Sequence, residues 1–168
     1  MTAAGPAKPY VKSVAVPMLL ALAVAVGFFG SSSPHAATTE RVVVDPSSGL
    51  ALYGVDPVAY FTERKPTQGR EDFEYRYGGA VWRFENEGNR AAFAADPDVY
   101  MPRFGGYDPM GVARGVATAG YPELWGVVEN RLYLFYTTQA RQTFMADPAA
   151  AIAAADAKWS ALMSQLVE

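Results

Sequence analysis

The feature that most constrains this chain is a repeat. Phe84 and Phe135, Arg90 and Arg141, Phe93 and Phe144, Ala95 and Ala146, and the dipeptides Asp96-Pro97 and Asp147-Pro148 all stand 51 positions apart. The segments around them share one pattern. Over residues 72–85, Phe73, Tyr75 and Tyr77 alternate with polar side chains, Gly78-Gly79 follows, and Val81, Trp82 and Phe84 come after it. Period-two aromatics on both sides of a two-residue glycine turn predict a β-hairpin. Residues 124–136 predict a second hairpin, with Glu129-Asn130 as a less favourable turn. A short helix is expected after each, over 87–95 and 139–146.

Two copies of a hairpin plus a helix are too few for a solenoid. Each can bury its aromatic face against the other, giving a small layered domain with one core. The chain ends with a third helix over 148–166, where Ile152, Trp159, Leu162 and Leu166 recur at helical spacing among alanines. The expected class is therefore α+β: two hairpin-plus-helix half-units forming a small antiparallel sheet packed by helices, closed by a C-terminal amphipathic helix. At 168 residues the chain has room for one such domain.

The N-terminal segment reads differently. Lys8 and Lys12 precede an apolar run over 14–29, no acidic residue occurs before Glu40, and Ser31-Ser32-Ser33-Pro34 follows the run. Basic, apolar, then small and polar is the layout of a secretory signal peptide. The run as a helix would reach about 24 Å, short of the roughly 30 Å of a bilayer core. Residues 1–37 are expected to be a signal peptide, with an uncleaved anchor as the alternative. Residues 38–49 read as a linker ending in Asp45-Pro46-Ser47-Ser48-Gly49, and residues 50–168 as the domain.

Export is expected to leave a periplasmic or secreted protein. Loss of residues 1–37 removes two lysines and takes the formal charge from −3 to −5. An acidic domain with scattered arginines lacks the clustered positive charge that nucleic acids and anionic membranes require. A membrane partner follows only if the N-terminal segment stays attached.

The chain contains no cysteine, and its single histidine, His35, lies in the expected signal peptide. Ser-His-Asp, Cys-His and nitrogen- or thiolate-ligated zinc chemistries are therefore excluded from the mature domain. Glu71, Asp72 and Glu74 would supply a carboxylate pair, but they sit on or beside a strand where Glu74 alternates with aromatics, and read as a solvated face. No catalytic residue is expected.

The segment over 101–115 is rich in glycine, at 105, 106, 111 and 115. Long loops between structured units tend to carry function. The missing strand-then-helix frame and the absence of Lys-Ser/Thr after the glycines rule out a phosphate loop. Two readings stay open: a carboxylate and thioether site for copper or another cation on Asp108, Met110 and Met101, and a ligand pocket floored by Phe104 and Tyr107. Against both stands a structural reading of Asp108. Asp-Pro occurs five times, at 45–46, 56–57, 96–97, 108–109 and 147–148. Asp at an N-cap with Pro after it needs no further role.

Three stretches resemble the YHS domain family, in particular its exported single-domain members. They are Gly54-Val55-Asp56-Pro57-Val58-Ala59-Tyr60-Phe61, the run from Arg90 through Asp96-Pro97 to Tyr100, and Phe104-Gly105-Gly106-Tyr107 followed by Gly111-Val112-Ala113. A tail from Ala153 to Leu162 extends the likeness. The resemblance implies the scaffold and the place of a pocket. It also implies heavy-metal or redox chemistry through a cysteine or selenocysteine after Gly-Gly-Tyr, but that place is held here by Asp108. The resulting expectation is an exported non-catalytic binding module using loop 101–115, with Phe104, Gly105, Gly106, Tyr107 and Asp108 as ligand contacts. The alternative is a periplasmic metal-binding protein with Asp108, Met110 and Met101 as ligands. No cofactor beyond such a metal ion is expected, and the partner is a small ligand, a metal ion or a protein.

Overall fold

The computed structural model of the chain describes residues 41–166 and positions 1, 2 and 5. Apart from those three positions, the expected signal peptide over 1–37 lies outside the described residues, as does the start of the expected linker. Every element below belongs to the compact unit Ser33–Glu168.

The elements form two matching series. The first is a 3-10 turn at Leu52–Gly54, α1 (Ala59–Thr62), β1 (Arg70–Tyr77), β2 (Ala80–Phe84), α2 (Glu87–Ala95) and α3 (Pro97–Tyr100). The second is a 3-10 turn at Arg103–Gly106, α4 (Pro109–Val112), β3 (Tyr121–Val128), β4 (Arg131–Phe135), α5 (Thr138–Ala146) and α6 (Pro148–Met163). The α+β class, both hairpin-plus-helix units and the closing helix are observed. Each hairpin forms its own two-stranded antiparallel sheet.

The hairpins agree residue by residue. Tyr75 pairs with Trp82 and Gly126 with Tyr133, and both ladders shift register at the same place, between Arg70 and Glu74 and between Tyr121 and Trp125. Their turns also match. Gly78 and Gly79 have φ of 59° and 82°, and Glu129 and Asn130 reach 50° and 56°. An L-residue in the left-handed region costs roughly 1–2 kcal/mol, so the second turn holds the same geometry with less suitable residues.

Each hairpin runs into a capped helix. The side chains of Asn86 and Thr137 accept from the amides of Asn89 and Ala140, at 2.9 and 3.0 Å. Asp-Pro then stops α2 and α5 and places Pro at the start of the next helix. That helix is where the copies diverge. Pro102 lacks an amide proton and disfavours helical backbone at Met101, so α3 ends after one turn. The alanine-rich sequence after Pro148 lets α6 run for 16 residues.

Apolar side chains gather in two clusters, each centred on one copy's helix phenylalanine. Phe93 packs against Trp82 and Phe84 with ring centroids 5.0 and 5.2 Å away. Phe144 meets Tyr133 and Phe135 at 4.8 and 5.1 Å. Strand β4 is the wall between them: Leu132 and Leu134 enter the first cluster, Tyr133 and Phe135 the second. Burial on both faces explains why β4 reads as a continuous apolar run while β2 alternates. Neighbouring Val42 and Val43 divide in the same way. The fold thus begins earlier than a linker over 38–49 implies, with the Val43 amide donating to the Gly105 carbonyl at 2.8 Å.

Helix α6 packs chiefly on α4. Ala151, Ala155 and Leu162 are its buried residues, and Ile152 and Trp159 lie at the margin. Trp159 and Phe104 meet in a T-shaped arrangement, 5.5 Å between centroids. Glu71, Asp72 and Glu74 sit on the outer face of β1: Arg83 bridges Glu71 and Glu74 at 3.1 and 2.9 Å, and Arg70 pairs with Asp72.

Candidate functional site

The repeat reaches further toward the N-terminus than the hairpins, at a spacing of 52 once the loop lengths differ by one. Leu52, Tyr53 and Gly54 have φ of 50°, 56° and 79°, and Phe104, Gly105 and Gly106 have 55°, 62° and 91°. Three consecutive left-handed residues turn the chain inward in each copy. Val55 then bridges Gln68, and Tyr107 bridges Ala119. The next residues, Asp56 and Asp108, donate their amides to Thr67 and Thr118 carbonyls at 2.9 and 2.8 Å.

These two aspartates are the only buried charged side chains among the described residues, 0% and 3% exposed. Each ties the inward turn to the helix and hairpin after it. Oδ1 of Asp56 accepts from the Val58 amide at 2.8 Å, and Oδ1 of Asp108 from the Met110 amide at 2.9 Å. Oδ2 reaches the residue after the hairpin: Glu85 donates to Asp56 at 2.9 Å, and Tyr136 to Asp108 at 3.3 Å.

Here the copies part. The side-chain amide of Asn89 also donates to Oδ2 of Asp56, at 2.6 Å. Fifty-one positions on stands Ala140, which has no donor and no bulk. In its place the second copy has a cavity of about 370 Å³, bordered by Asp108, Met110, Arg114, Tyr136, Gln139 and Ala140, with threonines completing the wall. Burial pushes the Asp108 carboxyl above the ordinary carboxylate range, and the Met110, Tyr136 and Gly111 amides and the Arg114 charge oppose that only in part. A buried carboxylate with an unfilled acceptor position beside an open cavity is suited to a ligand that donates hydrogen bonds or carries positive charge.

The residues singled out from sequence fall in several places. Asp108 and Met110 share this cavity. Phe104, Gly105, Gly106 and Tyr107 are buried, with the two aromatic rings in the second cluster. Tyr107 lies 6.4 Å from Trp159 between ring centroids. Gly105 is dictated by close approach, since a Cβ there would meet the Arg41 carbonyl oxygen at 2.0 Å. Met101 borders two other cavities with Gly105, one of about 360 Å³ that also touches Met163 and one of about 190 Å³ beside Trp159. The structure therefore brings two of the three residues expected as metal ligands to one cavity. Among the described residues, no group of three or more His, Cys, Asp or Glu side chains is arranged to hold a metal ion.

Sequence reasoning passed over Arg114, Tyr136 and Ala140. The signal that leads to them is the pair of Asp-Pro dipeptides at 56–57 and 108–109, which align the two copies and expose the exchange of Asn89 for Ala140. Compared with protein-family models, curated proteins and solved structures, the chain matches none.

Proposed function

We propose that the chain is an exported, non-catalytic binding module of the YHS type, and that loop 101–115 binds a small polar ligand through the cavity at Asp108. The observation that carries this reading is the comparison between the two copies. The same buried aspartate is saturated by Asn89 in one copy and faces an open cavity beside Ala140 in the other. Burying a carboxylate costs several kcal/mol unless its acceptor sites are filled. A ligand donor at Oδ2 would complete in the second copy what Asn89 completes in the first.

Ala140→Asn tests this, because it restores the first copy's residue and puts a side-chain donor of this fold where a ligand would meet Asp108. The wild type and the variant would be screened by thermal shift against amines, amino acids, sugars and divalent cations. A ligand held at a hundred times its Kd adds about 2.7 kcal/mol, a shift of several degrees for a domain of this size. We expect at least one class to stabilise the wild type and leave Ala140→Asn unmoved. Equal responses in both proteins across every class would refute the reading.

The metal alternative is supported by one observation, that Asp108 and Met110 border the same cavity. A hard carboxylate and a soft thioether suit different ions. Elemental analysis of protein isolated from its own compartment, with Asp108→Ala beside it, separates this alternative from an organic ligand.

A further inference from the structure

We infer that the Asp108 cavity receives a zwitterion, an α-amino acid or a molecule of that charge pattern, with its ammonium group on Asp108 and its carboxylate on Arg114. This rests on the reading of that cavity as the binding site and names what enters it.

The first copy indicates what belongs at Oδ2. There an N–H donor sits 2.6 Å from the corresponding Asp56 oxygen. An ammonium group at that place in the second copy would donate the same bond and add the positive charge that Asn89 lacks. A charge-assisted bond of this kind is roughly twice as strong as a neutral one, and a desolvated carboxylate gains most from it.

Arg114 is the second difference between the copies at this site. Its counterpart 52 positions earlier is Thr62, whose hydroxyl donates back to the Val58 carbonyl at 3.2 Å. Relative to the first copy, the second lacks a neutral donor at 140 and carries a cation at 114, both on the wall of one cavity. Arg114 is exposed, and among the described residues it forms no salt bridge with Asp108 or any other carboxylate. A buried anion and a rim cation that share a cavity without pairing present two separated charges, the inverse of an α-amino acid's own pattern. The guanidinium fork also matches a carboxylate geometrically.

The remaining wall limits the rest of the ligand. Met110 and Ala140 offer apolar surface, and Thr118, Tyr136 and Gln139 add polar groups. A volume of about 370 Å³ lies at the low end of ligand pockets, suited to a molecule of amino-acid size.

The test is calorimetric titration of the purified full chain with each proteinogenic L-amino acid. The tightest binder is then compared with the amine that lacks its carboxylate and the acid that lacks its ammonium. We expect either deletion to weaken binding by on the order of tenfold or more. Arg114→Gln should weaken the amino acid to the level of the amine and leave the amine's own affinity unchanged. Since Arg114 is exposed, this variant should keep the wild-type melting temperature, which a parallel scan records. Ala140→Asn should abolish binding of all of them. If the amine binds as tightly as the amino acid and Arg114→Gln changes neither, the zwitterion assignment is overturned while the cavity remains the site. If no amino acid binds, the assignment is likewise overturned. If no amine, acid, amino acid, sugar or cation binds in a manner sensitive to Ala140→Asn, the cavity reading falls with it.

Discussion

The two buried aspartates should differ in what their removal costs, and the difference can be worked out bond by bond. Asp56 accepts from Val58 at 2.8 Å, Glu85 at 2.9 Å and Asn89 at 2.6 Å, with a longer contact from Ala59 at 3.4 Å. Asp56→Ala strands two backbone amides and one side-chain amide, the Val58 amide fully buried and the Glu85 and Asn89 donors partly so. Bonds to charged groups are worth about 1.5–3 kcal/mol each, and part of the loss is offset because a desolvated carboxylate disappears too. A net cost of about 4 kcal/mol results. Asp108 accepts one bond of 2.9 Å and one of 3.3 Å, with the Gly111 amide also turned toward it, and the residue borders a cavity large enough for water to reach the amide left behind. Asp108→Ala should therefore cost about 2 kcal/mol or less. With an m-value of about 2 kcal/mol/M in urea, the midpoints fall by about 2 M and about 1 M. Tryptophan fluorescence and far-UV dichroism across the urea transition read both. Equal losses would show that Asp108 is as fully committed to the fold as Asp56, which would leave no free acceptor on its Oδ2 for a ligand.

Three further outcomes are expected from backbone geometry and charge. Gly105→Ala places a Cβ 2.0 Å from the Arg41 carbonyl oxygen at a residue with φ of 62°, so the Val43–Gly105 bond must break or shift. A loss of about 2–4 kcal/mol in urea unfolding is expected. Glu129→Gly relieves an L-residue at φ of 50° and makes the second turn resemble the first; it should stabilise by up to about 1 kcal/mol, and a lower melting temperature would contradict that. The Asp108 carboxyl is raised by burial, so in the window between the ordinary carboxylate value and its own, the folded state holds more protons than the unfolded state. Its contribution is present at low pH and lost as pH rises through the folded value. Urea unfolding at a series of pH values should then show a shallower fall with rising pH in Asp108→Asn than in wild type.

Most of the fold was legible because the repeat and the periodicity are local signals. The aromatics alternating around Gly78-Gly79, the Asp-Pro stops and the alanine-rich end translate directly into β1, β2, α2, α5 and α6, nearly to the residue. The features that sequence did not reveal depend on contacts between distant segments. Val42 and Val43 look like part of a linker, and only the Gly105 carbonyl and the two clusters on either side of β4 give them a place. The face that α6 buries departs from its large apolar stripe for a similar reason. Alanines at 151 and 155 let the helix approach α4 closely, so small residues are buried where larger ones at 152 and 159 stay at the margin.

Asp108 shows why the site was harder to read than the fold. Capping and ligation look like competing roles in sequence, because Asp-Pro at a helix start is explained by capping alone. The carboxylate has two oxygens, and the structure assigns them separately: Oδ1 accepts from the Met110 amide, and Oδ2 reaches toward Tyr136 beside the cavity. A residue that caps with one oxygen is held rigidly by the backbone, which is what presents the other in a defined position. The cap is thus part of what would make Asp108 a usable ligand. The difference from Asp56, which caps in the same way, is carried by Asn89, Ala140, Thr62 and Arg114, none of which stands out in sequence until the two copies are laid over each other.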